Sequence, residues 1–549
     1  MEKVLFIVPM NIYYDDFVNP AYNARIVKKQ NGDFTSVLTD MPLGIMSMSA
    51  YVKKHVPIET ALVDFNLVLN CLERFEYKSF ADLFDDTLRK LDFQPTIIGI
   101  SSLFTPSYQN IIDLAKCCKN IFPDALIVAG GSVPTNLYKE IYKDSSNFDA
   151  LCYGEGEKPL LGLITAENKF DYLKKSPSWI TRDKIDKSTC LKHDFVQDLD
   201  EIPFFDYSMC DTEKYAINPA ITAYAGVSDK KQNFHVMTSR GCPYHCCFCS
   251  SHTVHGREMR FHSLKRVKDD FVKLRDQYGA KTLVFQDDHF MADKPRAIEI
   301  LKLVKELHVT AIFQNGIALC TLDREILEAF KNSGIDQIVL AVESGSDRVL
   351  KKIMHKPLNL NIVRKVADNC RELGMYTDIN ILIGLPGETK QDIEDTRVFL
   401  KSIHANWFRI MVATPLVGSE LLDICIKKNY VNAGYINCNY KKAVIETEEF
   451  TAEWIQEKAY TLNLELNFVA NGDFVLGDYK MALRGFEAAI NAKNDHAIAY
   501  YYAAQCHKKL GNFDKARKYA SIARQIVDKD PLWRKYTNMF NITINEADF

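Results

Sequence analysis

Short apolar runs alternate with amphipathic stretches through the first third of the chain. Val4–Val8, Thr60–Val63, Thr96–Ile100, Leu126–Ala129 and Ala150–Tyr153 have strand length and strand composition. Leu43–Lys54, Phe80–Leu91, Ser107–Ile121 and Leu137–Tyr142 carry helical spacing. This alternation predicts an α/β fold with a Rossmann-like, doubly wound parallel sheet over about residues 1–165. Ligands of such sheets bind beyond the carboxyl ends of the strands. Those ends carry Ser101-Ser102-Leu103, Gly130-Gly131-Ser132 and Gly154-Glu155-Gly156-Glu157. Glycine there lets a backbone approach a ligand closely, although Gly-Gly after a strand also suits a plain tight turn.

The pattern changes over residues 166–231. Lys174–Lys187 is polar and basic without a period, and acidic and aromatic residues surround Pro203. This stretch reads as a linker. Alternation resumes over 232–445. Expected strands are Phe234–Met237, Thr282–Gln286, Ala311–Phe313, Gln337–Ala341, Asp378–Ile383 and Trp407–Ala413. Expected helices are Lys265–Tyr278, Pro295–Leu307, Arg324–Asn332, Ser346–Lys352, Leu360–Leu373 and Gln391–Ser402. Six βα units suit a partial (β/α)6 barrel, with functional groups at the carboxyl ends of its strands. Strand signals stop over 446–549, which is expected to be an all-α domain. There Gly477, Tyr479, Ala482 and Ala489 recur as Gly511, Phe513, Ala516 and Ala523, each 34 residues on. The spacing resembles tetratricopeptide repeats. Fewer than three repeats are marginal alone, so the module is expected to pack on the barrel. It reads either as a surface for a protein, peptide or carrier, or as a helical cap.

Composition narrows the class. The chain has 549 residues, 47% of them hydrophobic, enough for several ordinary cores. Its formal net charge of −3 gives no electrostatic case for nucleic acid as the main partner. No apolar run approaches the roughly 20 residues of a membrane span. Fifteen cysteines, an odd number in a large chain without a signal sequence, argue against a disulfide framework. A cytoplasmic compartment is expected.

The candidate chemistry begins at Ser239-Arg-Gly-Cys-Pro-Tyr-His-Cys-Cys-Phe-Cys-Ser-Ser251. Cys242, Cys246 and Cys249 are too closely and irregularly spaced for a strand or helix face. They read as a loop around one metal centre, and thiolates suit iron–sulfur clusters, zinc or copper(I). Structural zinc takes four protein ligands, for which Cys247 and His245 are nearby candidates. Three thiolates on a four-iron cluster leave one iron open.

The spacing of Cys242, Cys246 and Cys249, with Phe248 before the last, resembles the cluster motif of radical S-adenosylmethionine (radical SAM) enzymes. The resemblance implies that the three cysteines hold a [4Fe–4S] cluster whose open iron chelates S-adenosylmethionine. Phe248 then lies near the adenine, and Cys247 is a bystander. Further strand-end runs follow in the family's order. Gln286-Asp287-Asp288, Gln314-Asn315, Val342-Glu343-Ser344-Gly345, Gly384-Leu385-Pro386-Gly387-Glu388 and Ala413-Thr414-Pro415 resemble its S-adenosylmethionine contacts. The implied binding residues are Phe248, Gln286, Asp287, Gln314, Glu343, Ser344, Gly384, Leu385, Pro386 and Ala413. Many relatives have Arg at the position of Ala318.

The N-terminal strand ends resemble a cobalamin-binding domain, which uses Ser-x-Leu, about 26 residues, then Gly-Gly. Here Ser101-Ser102-Leu103 precedes Gly130-Gly131, with residues 104–129 between them. The resemblance implies cobalamin contacts at Asn11, Ser101, Ser102, Leu103, Thr105, Gly130, Gly131, Ser132, Gly154 and Glu155. The loop beginning at Met10 has no His, so any cobalamin is expected to lack a His lower ligand. A Rossmann-like domain that binds nothing is the plainer alternative. Fusions of these two domains most often transfer a methyl group to an unactivated carbon, through a 5′-deoxyadenosyl radical and methylcobalamin. They take an external electron donor such as flavodoxin or ferredoxin. Cyclisation, carbon–carbon coupling or rearrangement is the alternative chemistry. A sensor or scaffold using the C-terminal repeats is a third reading. An oxygen-sensitive cluster suits an anaerobic setting.

Overall fold

In a computed structural model the described residues are 1–549 apart from 22, 23, 25, 38, 216–231, 432–434, 438–441 and 546–548. The last part of the expected linker, 216–231, lies outside them. The chain divides into two compact units. One is built from Met1–Pro219, Asp229–Ala311 and Pro415–Asn439, the other chiefly from Ile312–Thr414 and Tyr440–Phe549.

The first unit is organised on β1 (Glu2–Val8). After it come β2 (Ile26–Lys29), β3 (Gly32–Thr35), β4 (Ile58–Asp64), β5 (Ile97–Ser101), β6 (Leu126–Gly130), β7 (Ala150–Cys152) and β8 (Trp179–Ile180). Six of these form one sheet in the order β4-β1-β5-β6-β7-β8. All its pairs are parallel except β7 with β8. Alternation along β1 feeds two layers. Val4 and Phe6 pack with Ile45, Val52 and Leu163 on one face. Leu5 and Ile7 pack with Phe65, Leu83, Ile111 and Leu114 on the other. Burial of both faces explains why the strands read as apolar runs. The strand order reverses between β1 and β5, which opens a crevice there.

Two features were not expected from the sequence. The β2–β3 hairpin sits in the connection after β1, turning at Gln30-Asn31. The Asn31-Gly32 pair is a turn signal, but its flanking strands are short and half exposed. The second feature is β8, which lies where a linker was expected. Trp179 is buried, and its indole N–H donates to the Pro159 carbonyl at 3.2 Å.

The first unit also holds β9 (Asn233–Val236), β10 (Ser239–Arg240), β11 (Arg260–Phe261) and β12 (Thr282–Phe285). β12 pairs in parallel with β9. β10 and β11 form an antiparallel ribbon that closes the ends of the Cys242–Cys249 loop. The chain passes into the second unit within β13 (Thr310–Phe313).

The second unit contains β14 (Gln337–Glu343), β15 (Tyr376–Ile383) and β16 (Trp407–Val412) in one parallel sheet of that order. The expected helix Ser346–Lys352 is helical over 347–353, of which Val349–Ile353 is a π turn. Gly345 accounts for the tight local path, because a Cβ there would lie 2.8 Å from Thr396 Cα. The expected all-α segment is helical, and Tyr479 and Phe513 each open a helix, Tyr479–Ala492 and Phe513–Lys529. The first of these meets β16 within the same unit. A Cβ on Gly485 would lie 2.9 Å from the Trp407 ring. The buried Asn467 side chain accepts the Phe408 N–H and donates to the Phe408 carbonyl, both at 2.7 Å. One amide thereby satisfies both polar groups of an edge-strand residue. Asn467→Ala leaves both groups buried and unpaired. It is expected to cost about 2–5 kcal/mol, read as a lower urea midpoint for the second unit. An unchanged midpoint would show that the edge does not need the amide.

Candidate functional site

The crevice of the first unit is a cavity of about 290 Å³ at the ends of β1, β5 and β6. Phe6, Val8, Ile45, Val128, Leu160 and Trp179 give it an apolar interior. Of the residues expected there, Asn11, Ser101, Leu103, Gly130, Gly131, Gly154 and Glu155 line it. Ser102, Thr105 and Ser132 do not. Ser102 is buried against Ser107, with their hydroxyl oxygens 2.5 Å apart. Gly131 has φ +103°, and a Cβ there would lie 2.4 Å from the Ser102 carbonyl oxygen. This contact explains the requirement for glycine after β6. Leu103 and Phe104 are among the exposed large hydrophobic residues, at 54% and 40%, and both face the cavity.

Glu155 sits at one wall, and its carboxylate is occupied by two guanidinium groups and a histidine. Arg240 Nη1 lies 3.0 Å from Oε2, Arg260 Nη2 lies 2.6 Å from Oε1, and His255 Nδ1 lies 2.9 Å from Oε1. Arg240 Nη2 also reaches Glu157 Oε1 at 2.7 Å and the Ser47 hydroxyl at 2.9 Å. Burial opposes charge on Glu155, yet Arg240, His255 and Arg260 hold its carboxyl well below the usual range. Burial likewise opposes charge on Arg240, and Glu157 and Glu155 more than compensate. His255 is also disfavoured by burial, but Glu155 pushes its protonation upward. Sequence reasoning missed Arg240 and His255. The two acids of Gly154-Glu155-Gly156-Glu157 were the only signal that partners were required.

Arg240 begins the cysteine loop. Gly241 follows with φ +95°, and a Cβ there would lie 2.3 Å from the Glu258 carbonyl oxygen. The Cys249 N–H donates to the Cys246 carbonyl at 3.1 Å, turning the chain so that all three thiols stay in one loop. Burial pushes the Cys242 thiol up to about 11, with Cys249, Asp288 and Cys246 adding repulsion. Cys247, expected to be a bystander, is buried, its thiol is pushed up to about 12, and its carbonyl accepts the Leu421 N–H at 2.8 Å. Phe248 is half-buried. At the end of β12, Gln286 lines the cavity, and Asp287 accepts from the Thr238 backbone and hydroxyl and from the Ser239 hydroxyl. Burial raises the Asp287 carboxyl, and these donors oppose the rise.

The remaining expected residues lie in the second unit. Gln314 follows β13. Glu343 ends β14 at φ +71° beside a register shift, a sparsely populated backbone region for a non-glycine residue. Lys356 lies 3.4 Å from its carboxylate. The Ser344 hydroxyl accepts the Ser346 N–H at 3.1 Å. Ala413 continues β16 by donating its N–H to Ile383 O. The Gly384-Leu385-Pro386 turn is held by Glu388, whose Oε2 accepts the Gly384 and Leu385 N–H groups at 2.6 and 3.1 Å. Burial pushes the Glu388 carboxyl up to about 7.

Two family models match the chain. That of the B12 binding domain matches residues 41–164, and that of the Radical SAM superfamily matches residues 236–400. The protein is a radical SAM enzyme with a B12-binding domain. A relative of this radical SAM protein is the cytidylyl-2-hydroxyethylphosphonate methyltransferase of Streptomyces wedmorensis. It is 29% identical over 418 residues, covering 70% of this chain and 78% of the relative. Two solved structures agree in fold. The radical SAM methyltransferase TsrM of Kitasatospora setae, with cobalamin and a [4Fe–4S] cluster bound, has a TM-score of 0.57 at 13% identity. The match covers 96% of this chain and all of that one. The cobalamin-dependent radical SAM enzyme OxsB, with aqua-cobalamin and S-adenosylmethionine bound, has a TM-score of 0.57 at 14% identity. The match covers 100% of this chain and 82% of that one.

The residues of this radical SAM protein fit the cofactors of its domains. Leu103 and Phe104 offer an apolar surface at a strand-end crevice, as a corrin face requires. Among the described residues no three His, Cys, Asp or Glu side chains converge on the position of a single metal ion.

Arg240→Ala removes the guanidinium held by buried Glu157 and one of the two held by buried Glu155. It is expected to destabilise the first unit by about 3–5 kcal/mol, seen as a lower melting temperature, and unchanged melting would refute the weight placed on this network. Glu388 gives a pH prediction. Its folded pKa lies above its unfolded one, so its contribution is fully present below about pH 4.5 and is lost as pH rises through about 7. Glu388→Gln keeps the acceptor but not the charge. It should raise the melting temperature relative to the parent above pH 7, with the advantage shrinking toward pH 5. A difference that does not vary with pH would count against this assignment.

Proposed function

We propose that the protein transfers a methyl group to an unactivated carbon of a small-molecule, peptide or carrier-bound substrate. The observation that carries this reading is the direct tie between two halves of the first unit. Glu155, at the wall of the strand-end cavity, is ion-paired to Arg240, which begins the cysteine loop. The cluster with S-adenosylmethionine supplies a 5′-deoxyadenosyl radical, and cobalamin supplies the methyl group.

The chain's own residues hold and orient these groups. Cys242, Cys246 and Cys249 ligate the cluster. Phe248, Gln286, Asp287, Gln314, Glu343, Ser344, Gly384, Leu385, Pro386 and Ala413 are the proposed S-adenosylmethionine contacts. Asp287 sets the segment before the cysteine loop through Thr238 and Ser239. Asn11, Ser101, Leu103, Gly130, Gly131 and Gly154 contact cobalamin. Ser102, Thr105 and Ser132 support those contacts from behind, and Glu155 serves them through its ion cluster. An external donor of the flavodoxin or ferredoxin type supplies electrons.

Anaerobically reconstituted protein given methyl-labelled S-adenosylmethionine and a reductant should form 5′-deoxyadenosine and S-adenosylhomocysteine together. Formation of 5′-deoxyadenosine alone would point to radical chemistry without methyl transfer. The combined Cys242→Ala, Cys246→Ala and Cys249→Ala variant should lose the cluster absorption and both products. Retention of the cluster signal would overturn the ligand assignment.

A further inference from the structure

The cavity wall carries two acid–histidine pairs of similar construction. In each, the acid belongs to the N-terminal sheet domain and the histidine to the radical SAM segment. Asp40 stands just ahead of the helix Leu43–His55 and lines the cavity. Its Oδ1 lies 3.1 Å from Nε2 of His235, which is buried on β9. His235 Nδ1 accepts the Met41 N–H at 3.4 Å, so Nε2 carries the proton and donates to Asp40. The second pair is Glu155–His255. Here His255 is the member that lines the cavity more openly, and Nδ1 is committed to Glu155. The opposite ring nitrogen, Nε2, is then the one left for a ligand.

Several other polar groups in the wall are tied to the protein. Glu157 is held by Arg240 and Ser47. Asp64 accepts from Tyr215 and from the Asn66 backbone, and Asn66 bonds the Pro9 carbonyl and the Asn11 N–H. Asp40 and His255 retain more open surface, with side chains 33% and 23% exposed, against 2–3% for Glu155 and Glu157. Asp40 is an acceptor; His255, whose Nδ1–H is given to Glu155, offers Nε2–H as a donor in its protonated form, which Glu155 favours. That pairing complements a primary amide, which has both N–H and C=O groups. The corrin ring of cobalamin is rimmed by such amides.

We infer that Asp40 and His255 bind the peripheral amides of cobalamin, Asp40 as acceptor and His255 Nε2 as donor, with His235 and Glu155 as their positioning residues. The inference rests on the cobalamin reading above. It adds that the cobalamin site is completed by two histidines from the radical SAM segment, neither of which belongs to the strand-end motifs.

The test measures the dissociation constant of hydroxocobalamin for the full chain by equilibrium dialysis, with iron content followed in parallel. Asp40→Ala and His255→Ala should each weaken binding about ten-fold while iron content stays at the parent level. His235→Ala should weaken it as Asp40→Ala does. His235→Gln, which keeps a donor for Asp40, should restore most of the loss. If His255→Ala also loses iron, the Asp40 and His235 variants decide the matter. Parental affinity in Asp40→Ala and His255→Ala would overturn the inference. Failure of the parent protein itself to bind hydroxocobalamin would instead overturn the cobalamin reading.

Discussion

The first unit depends on one buried carboxylate. Glu155 ends a run that leaves the cobalamin-type sheet, and it is met by Arg240, Arg260 and His255, all from the segment that carries the cysteine loop. Burying these charges is unfavourable for each alone and tolerable only together. The contact is therefore specific in a way an apolar patch would not be. Shifting the ribbon β10–β11 by one residue would put Arg240 and Arg260 on opposite faces, so that only one could meet Glu155. The register of that ribbon also closes the ends of the loop holding Cys242, Cys246 and Cys249. Charge pairing and the ends of the cysteine loop are thus set by the same two short strands.

Around this tie the first unit follows ordinary α/β logic. The alternation of β1 fills two layers, and the reversal of strand order beside it opens the crevice. Gly131 and Gly241 occupy positions where a side chain would strike a carbonyl oxygen, so the backbone itself forms the walls. The second unit uses a different device. Asn467 pairs with both backbone groups of Phe408 and joins the terminal helices to β16. A side-chain amide that mimics a neighbouring strand ends the sheet without leaving an open edge.

Local and distant signals differed in how much they revealed. The longer strands were legible because each is an apolar run bounded by turn residues, and the cysteine spacing was legible because its three members are close in the chain. The hairpin at Asn31-Gly32 was less so, since its strands are half exposed and carry little periodicity. The strand Trp179–Ile180 is too short to show a period and is recruited by an already formed sheet edge. The segment Ser346–Lys352 carried helical spacing and is helical from 347, but nothing local marked its π turn at Val349–Ile353.

By itself the sequence determined the order of strands and helices, the cysteine triad, and the glycine positions at the strand ends. These depend on residues near one another in the chain. Tertiary structure alone decided which charges meet. Glu155 faces Arg240 and His255, and Asp40 faces His235, across separations of 85 to 195 residues. No local pattern encodes such pairs, because each side chain's partner is chosen by how the sheet and the radical SAM segment pack. The same packing decided that Ser102, Thr105 and Ser132 turn away from the cavity while Asp40 and His255 turn toward it.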